Sequence, residues 1–200
     1  MLERMKAYFD FQTELREKAL DASRSTIRAS ARDISAIHRG DIKAANAFLS
    51  DAETCLNDLT KLVKRSPEIS ESGIVLSAQQ EYGEALLVRG AITKRKLLDV
   101  EEIGISFKAY LAAMGDAAGE LRRHILDKIR ENEIDLAEKF LKLIEQIFEF
   151  LMEFDYPDAV LPGMRRRQDR VRQLLERTRG DLTIALRLQS LEQALERGSR

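Results

Sequence analysis

The sequence predicts an all-α protein, an antiparallel bundle of six to seven long helices. Apolar residues recur at steps of three and four along most of the chain, which is the period of an amphipathic helix. Only 10 Gly and 3 Pro occur in 200 residues, so the chain has few places to turn and its elements must be long. Period-two alternation of apolar and polar residues, the mark of a strand, is not found. We expect one domain over residues 1–200.

A glycine and a proline separate the first three predicted helices. Gly40 ends the first, and Asp41 is a suitable N-cap for the second. Pro67 ends the second helix, because the residue before a proline disfavours the α conformation. A polar loop is expected from Glu68 to Gly73. The predicted bounds of these helices are 2–38, 42–64 and 74 to about 98.

Three more helices are predicted after a connector at residues 99–105. Ser106 is the expected cap of the fourth helix, and the stretch Asp155-Tyr156-Pro157 stops the fifth. Pro162 fits the first turn of the sixth, where its missing N–H costs nothing. Their predicted bounds are 106–130, 134–154 and about 162–195.

The composition limits the classes of function. The chain has 33 basic and 34 acidic residues, so a uniformly basic surface is excluded and a local basic patch is not. The single cysteine, Cys55, excludes an internal disulfide and fits a reducing compartment. No apolar run approaches the roughly 18 residues of a membrane span, and the first residues lack the apolar region of a signal peptide. We expect a cytoplasmic protein without a membrane partner.

Two pairs of carboxylates are the candidate site. Glu81 and Glu84 are spaced i,i+3, and Asp116 and Glu120 are spaced i,i+4, so each pair shares one helix face with roughly 5–6 Å between Cβ atoms. If the two helices pack side by side, four acids converge and require a positive charge among them. An all-oxygen set favours Mg²⁺, with Mn²⁺ as the alternative. A solvated helix face is the other explanation of either pair.

The sequence lacks the patterns of several other sites. Neither histidine follows a Glu by three residues, as the Glu-x-x-His motif of di-iron bundles requires. No Gly-rich phosphate loop, HExxH or CxxC motif occurs. Magnesium held by carboxylates commonly serves phosphoryl chemistry, so the acid pairs favour a phosphodiester or phosphoanhydride substrate.

The acidic motifs resemble those of a known family. They read Gln-Glu-Tyr-Gly-Glu-Ala at 80–85, Tyr-Leu at 110–111, and Gly115-Asp116-x-x-Gly119-Glu120-Leu121-x-Arg123. This pattern resembles the translin superfamily, and specifically its TRAX (translin-associated factor X) branch, whose subunits carry the acids that translin-type subunits mostly lack. The likeness extends over nearly the whole chain, although it is diffuse outside these motifs.

The resemblance implies a fold, an assembly and an activity. It implies a seven-helix bundle, a closed homo-oligomer (an octamer) that encloses RNA, and Mg²⁺-dependent endonucleolytic cleavage of single-stranded RNA. Glu81, Glu84 and Asp116 match the family's metal-binding acids, and Glu120 matches a fourth acid close by. Since the chain is shorter than eukaryotic members, the resemblance also suggests an archaeal or prokaryotic homologue with a site in every subunit.

Three basic clusters are candidates for contacts with RNA phosphates. Arg95 and Arg123 extend the two acid-bearing helices, although Arg123 could instead pair with Glu120. A run of arginines lies at a helix N-terminus, where the helix dipole disfavours cations, so an external anion is favoured there. This run consists of Arg165, Arg166 and Arg167, followed by Arg170 and Arg172.

Two other functions remain open on the sequence alone. An all-α nucleoside triphosphate pyrophosphohydrolase also uses Glu-x-x-Glu and a second acid pair, but here that pair is spaced Asp-x-x-x-Glu rather than Glu-x-x-Asp. A non-catalytic protein that binds single-stranded RNA or DNA is the other alternative. It would bind with steep salt dependence and would tolerate alanine at the acids.

Overall fold

The computed structural model describes residues 1–64, 66, 69 and 73–198, and within these ranges all regular secondary structure is helical, as predicted. Seven helices have described bounds, and no strand occurs among the described residues. The helices are α1 (Leu2–His38), α2 (Ile42–Val63), α3 (Gly73–Lys94), α4 (Val100–Ile103), α5 (Phe107–Arg130), α6 (Ile134–Met152) and α7 (Met164–Gly198).

The chain forms two compact units. The first consists of Met1–Arg89 and Leu98–Ala113, and the second of Gly90–Leu97 and Met114–Arg200. Helices α3 and α5 each contribute to both units. The prediction of a single domain over residues 1–200 stays a prediction.

The turn between α1 and α2 follows the sequence signals. Gly40 adopts φ +73°, which favours glycine, and the Asp41 carboxylate accepts a hydrogen bond of 3.0 Å from the Ala44 N–H. Helix α2 ends at Val63, one residue before the predicted end. Most of the predicted loop at 68–73 lies outside the described residues. Pro67, which was predicted to end α2, lies outside them as well.

The end of α3 and the connector after it differ from the prediction. Helix α3 ends at Lys94 rather than near Leu98, because Arg95 takes a left-handed conformation with φ +56°. The Arg95 N–H bonds the Ala91 carbonyl at 3.1 Å, which is the single bond of an αL helix end, and the Lys96 N–H bonds the Gly90 carbonyl at 3.3 Å. The connector contains a one-turn helix, α4, which begins with a capping box between Asp99 and Glu102.

The last two helices also shift at their ends. Helix α6 stops at Met152 rather than Phe154, and α7 begins at Met164 after Gly163, which has φ +72°. Apolar side chains between α6 and α7 form the core of the second unit, whereas α1 packs along α2 in the first. The largest fully buried side chains of α6 and α7 are Phe140, Ile144, Ile147, Leu151, Met164 and Val171.

Some large apolar residues near the ends of α1 and α7 are exposed. Tyr8 and Phe11 near the start of α1, and Leu191 near the end of α7, are all accessible to solvent. Helical period identifies the apolar side of a helix but does not say where along its length a neighbour ends. Within the described ranges, none of the helices combines the length and apolar character needed to cross a membrane.

Candidate functional site

The first acid pair lies on α3 in the first unit. Glu81 and Glu84 are half-buried, one turn apart, and the two residues between them, Tyr82 and Gly83, are buried. A Cβ added to Gly83 would lie 2.5 Å from Ile105 Cδ1 and 3.1 Å from the Cβ of Ala113. Gly83 therefore allows α3 to approach the start of α5 more closely than any side chain would permit.

A buried ion pair holds the same stretch of α3 in place. The Arg89 guanidinium donates a 2.7 Å hydrogen bond to Asp33 Oδ1 on α1 and another to the Asn46 side chain on α2. The Asp33 side chain is 0% exposed. Burial raises the pKa of Asp33 above its ordinary value, and the hydrogen bond and charge of Arg89 lower it only in part. Arg89 therefore ties α3 to both α1 and α2.

Tyr82 belongs to this interior rather than to an RNA surface. Burial raises the pKa of its phenol, and the nearby carboxylates of Glu53 and Asp33 raise it further. A buried tyrosine beside the Asp33 carboxylate is positioned for packing, so its ring is not available to stack on a base.

The second acid pair lies on α5 in the second unit, with arginines beside it. The Asp116 side chain is 23% exposed, and its Oδ1 lies 3.4 Å from Nη1 of Arg170 on α7. Glu120 Oε2 lies 3.5 Å from Nη1 of Arg123, so the ion pair considered from the sequence is present. The counter-ion of Asp116 thus comes from a residue 54 positions away in the chain.

Arg167 is anchored directly beside Asp116. Its side chain lies over Gly115, where an added Cβ would come within 2.5 Å of Arg167 Cγ and 2.6 Å of Cδ. Burial lowers the pKa of Arg167, the charge of Asp116 partly offsets this, and Arg166 and Arg170 lower it further. The Asp116 carboxylate and the guanidinium groups of Arg166 and Arg170 therefore all lie close enough to Arg167 to act on its charge.

Two other predicted phosphate contacts have structural partners. Arg165 pairs with Asp155 at 3.4 Å on the exposed surface. Arg95 places its guanidinium carbon 4.8 Å from the centre of the Phe140 ring and donates a hydrogen bond to the Ile92 carbonyl. Both interactions are sufficient to explain these arginines without RNA.

The sequence did not reveal the pairing of Asp33 with Arg89. Asp33 shares the buried side of α1 with Thr26, Ser30 and Ile37, so its position on an otherwise interior face was the available signal. For Arg170 the only signal in the sequence was its spacing: it follows Arg167 by one helical turn and lies on the same face.

The acids have the donor chemistry of a magnesium or manganese site, because both metals prefer carboxylate oxygen. Within the part of the chain that the structure describes, no group of three or more His, Cys, Asp or Glu side chains is arranged to hold a metal ion. Each pair by itself offers two carboxylates. The four-acid metal site, with Glu81, Glu84, Asp116 and Glu120, stays a prediction.

Known proteins are similar to this chain over nearly its full length, although no family model matches it. An uncharacterized protein of Methanocaldococcus jannaschii is 30% identical over 195 residues, which are 95% of this chain and 85% of the relative. This chain is 33% identical in sequence to AfC3PO. The crystal structure of AfC3PO matches it with a TM-score of 0.84, over 92% of this chain and 96% of that chain.

Two further solved structures are similar. The complex of AfC3PO with duplex RNA is 32% identical, with a TM-score of 0.79, and covers 92% of this chain and 95% of that chain. The structure of apo-NeC3PO has a TM-score of 0.84 over 92% of this chain and 96% of that chain. Its identity is 22%, so it supports the fold alone.

Proposed function

Because the chain belongs to the translin superfamily, we propose that it is an Mg²⁺-dependent endoribonuclease of the TRAX-like branch that cleaves single-stranded RNA. The observation that carries this proposal is the grouping of Asp116 with Arg166, Arg167 and Arg170. It joins a carboxylate suited to a divalent cation with guanidinium groups suited to phosphate. AfC3PO, which is similar over the same length, has been solved with duplex RNA, which supports RNA as the ligand.

In this proposal the carboxylates and arginines have separate tasks. Glu81, Glu84 and Asp116 hold the metal, and Glu120 completes its shell or orients the attacking water. Mg²⁺, when bound, stabilises the negative charge that develops on the phosphate during cleavage. Arg167, fixed over Gly115, orients the RNA backbone by contact with a phosphate oxygen.

We also propose that the protein acts as a homo-oligomer, an octamer by family resemblance. Along the last three turns of α7, large apolar residues are 55–62% exposed and recur at steps of four, three and four. They are Ile184, Leu188, Leu191 and Leu195. This spacing is that of a helix–helix seam, and burying the stripe against a second copy would remove it from water.

A non-catalytic role in binding single-stranded RNA or DNA is the second candidate. One observation favours it: Arg170 already pairs with Asp116, so this carboxylate has a counter-ion without a metal. In that case RNA binding would survive removal of the acids.

The test is cleavage of a labelled single-stranded RNA with Mg²⁺ or with EDTA. We expect cleavage only with Mg²⁺, and a loss of about 100-fold or more in Glu81→Gln and Asp116→Asn, as for removal of a group that stabilises transition-state charge. Asp127→Asn, on the same helix as Asp116 and paired with Arg130, is the matched control and should keep full activity. Circular dichroism and gel filtration of each variant establish that it is folded.

Equal cleavage by all four proteins would remove the catalytic assignment and leave the fold untouched. Unchanged RNA binding without any cleavage would favour the second candidate. Release of pyrophosphate from free nucleoside triphosphates, with no cleavage of RNA, would instead indicate a pyrophosphohydrolase.

A further inference from the structure

Arg170 and Arg167 reach Asp116 in different ways. The Arg167 stem is packed over Gly115 and cannot move without opening that contact. Arg170 is 67% exposed, and its contact with Asp116 is long for a charge-assisted hydrogen bond, at 3.4 Å. Of the two, Arg170 is therefore the residue that can leave Asp116 at little cost.

Arg170 and a divalent metal would compete for the same carboxylate. A guanidinium 3.4 Å from Asp116 would repel a divalent cation bound to that carboxylate, because like charges at such separations cost free energy even near a protein surface. Arg166 and Arg167 add to this repulsion. We therefore expect the contact between Arg170 and Asp116 to break or lengthen when a metal binds.

We propose that Arg170 is a displaceable counter-ion: it neutralises Asp116 in the metal-free protein, is expelled when a divalent metal binds, and then contacts an RNA phosphate. The inference rests on the proposed function. A released guanidinium is suited to phosphate oxygens, which it binds with two parallel hydrogen bonds. Metal binding and RNA binding are then coupled, and each strengthens the other by the same factor.

The first test measures metal affinity without any reaction. Mn²⁺ is titrated calorimetrically into the full-length protein, the Arg170→Ala variant and the Arg170→Lys variant. Arg170→Ala should bind Mn²⁺ about two- to fivefold more tightly, the range expected for an exposed ion pair. Arg170→Lys keeps the counter-charge and should stay within about twofold of the unmodified protein. Arg177→Ala, which removes an exposed charge from the same helix, is the matched control and should leave the affinity unchanged.

The second test measures RNA affinity by fluorescence anisotropy at several salt concentrations, with Ca²⁺ or with EDTA. With Ca²⁺, the salt slope of Arg170→Ala should be smaller than that of the unmodified protein by about one phosphate contact. With EDTA, where Asp116 retains Arg170, the two slopes should agree.

Each outcome tests either the counter-ion role of Arg170 or the proposed metal site. Unchanged Mn²⁺ affinity in Arg170→Ala would overturn the counter-ion role, and weaker affinity would show that Arg170 orients Asp116 for the metal instead. Equal salt slopes with Ca²⁺ would exclude the contact with phosphate. Failure of the unmodified protein to bind Mn²⁺ would overturn the proposed metal site and, with it, the counter-ion role. Mn²⁺ binding that is the same in the unmodified protein and in Arg170→Ala would overturn the counter-ion role alone.

Discussion

Replacing Arg89 by Met would leave the Asp33 carboxylate buried without its counter-ion, and we expect the free energy of unfolding at pH 7 to fall by about 3–5 kcal/mol. Met preserves most of the apolar stem of Arg89, so the change removes the charge and its hydrogen bonds rather than the packing. The Asp33 side chain is fully buried, and the Arg89 side chain is 16% exposed, so water cannot substitute for the lost partner.

The magnitude follows from the surroundings of Asp33. Its Oδ1 accepts the 2.7 Å hydrogen bond from Arg89, and its Oδ2 is buried with no hydrogen-bond partner among the described residues. Removing Arg89 therefore raises the already elevated pKa of Asp33 further. A loss of about 3–5 kcal/mol is the range found when one partner of a buried ion pair is removed and the other is left uncompensated.

The effect should depend on pH with a definite sign. Because the pKa of Asp33 is raised in the folded protein, the unfolded chain loses this proton first as the pH rises. The contribution of Asp33 to stability is therefore greatest at acid pH and falls between its ordinary pKa and its raised one. In Arg89→Met the pKa of Asp33 is raised further, so the loss in the free energy of unfolding should grow from pH 4 to pH 7.

Urea denaturation followed by circular dichroism, at one fixed subunit concentration, measures this penalty. The double variant Asp33→Leu with Arg89→Met removes both charges and should recover most of the loss. Arg28→Met, at an exposed arginine on α1, should change stability by less than about 0.5 kcal/mol. A loss in Arg89→Met below about 1 kcal/mol at pH 7, or one independent of pH, would refute the reasoning.

Three further predictions test other contacts. Gly83→Ala should destabilise the protein by about 1 kcal/mol, because its clash with Ile105 outweighs the helix propensity gained, whereas Gly119→Ala, which meets open space, should stabilise it by about 0.5–1 kcal/mol. Leu188→Glu should shift the protein to a smaller species in analytical ultracentrifugation while its helical content is retained. Arg167→Ala should weaken RNA binding and reduce the salt slope by about one.

These predictions have clear contrary outcomes. Equal effects of alanine at the two glycines would show that α3 and Ile105 are not in tight contact in solution. An unchanged sedimentation coefficient in Leu188→Glu would mean that the exposed stripe of α7 is not an interface. RNA binding that responds to Arg165→Ala but not to Arg167→Ala would place the phosphate contact on the solvent-facing arginine instead.

Features that depend on near neighbours in the chain could be predicted from the sequence. The helical period, the turn at Gly40 and the cap at Asp41 all arise from residues within about one helical turn of each other. The one-turn helix α4 belongs in this class, since Asp99-x-x-Glu102 is a capping-box pattern formed by residues three positions apart. The pairing of acids on one helix face is equally local.

Only the tertiary structure decided which charges meet. Asp33 pairs with Arg89 across 56 residues, and Asp116 pairs with Arg170 across 54. Any of the 33 basic residues could neutralise either acid as far as the sequence shows, because the choice depends on which helices pack together and on how far each is rotated. Local spacing therefore identified Asp116 as a candidate, whereas helix packing, which is not a local property of the chain, selected the partners of both acids.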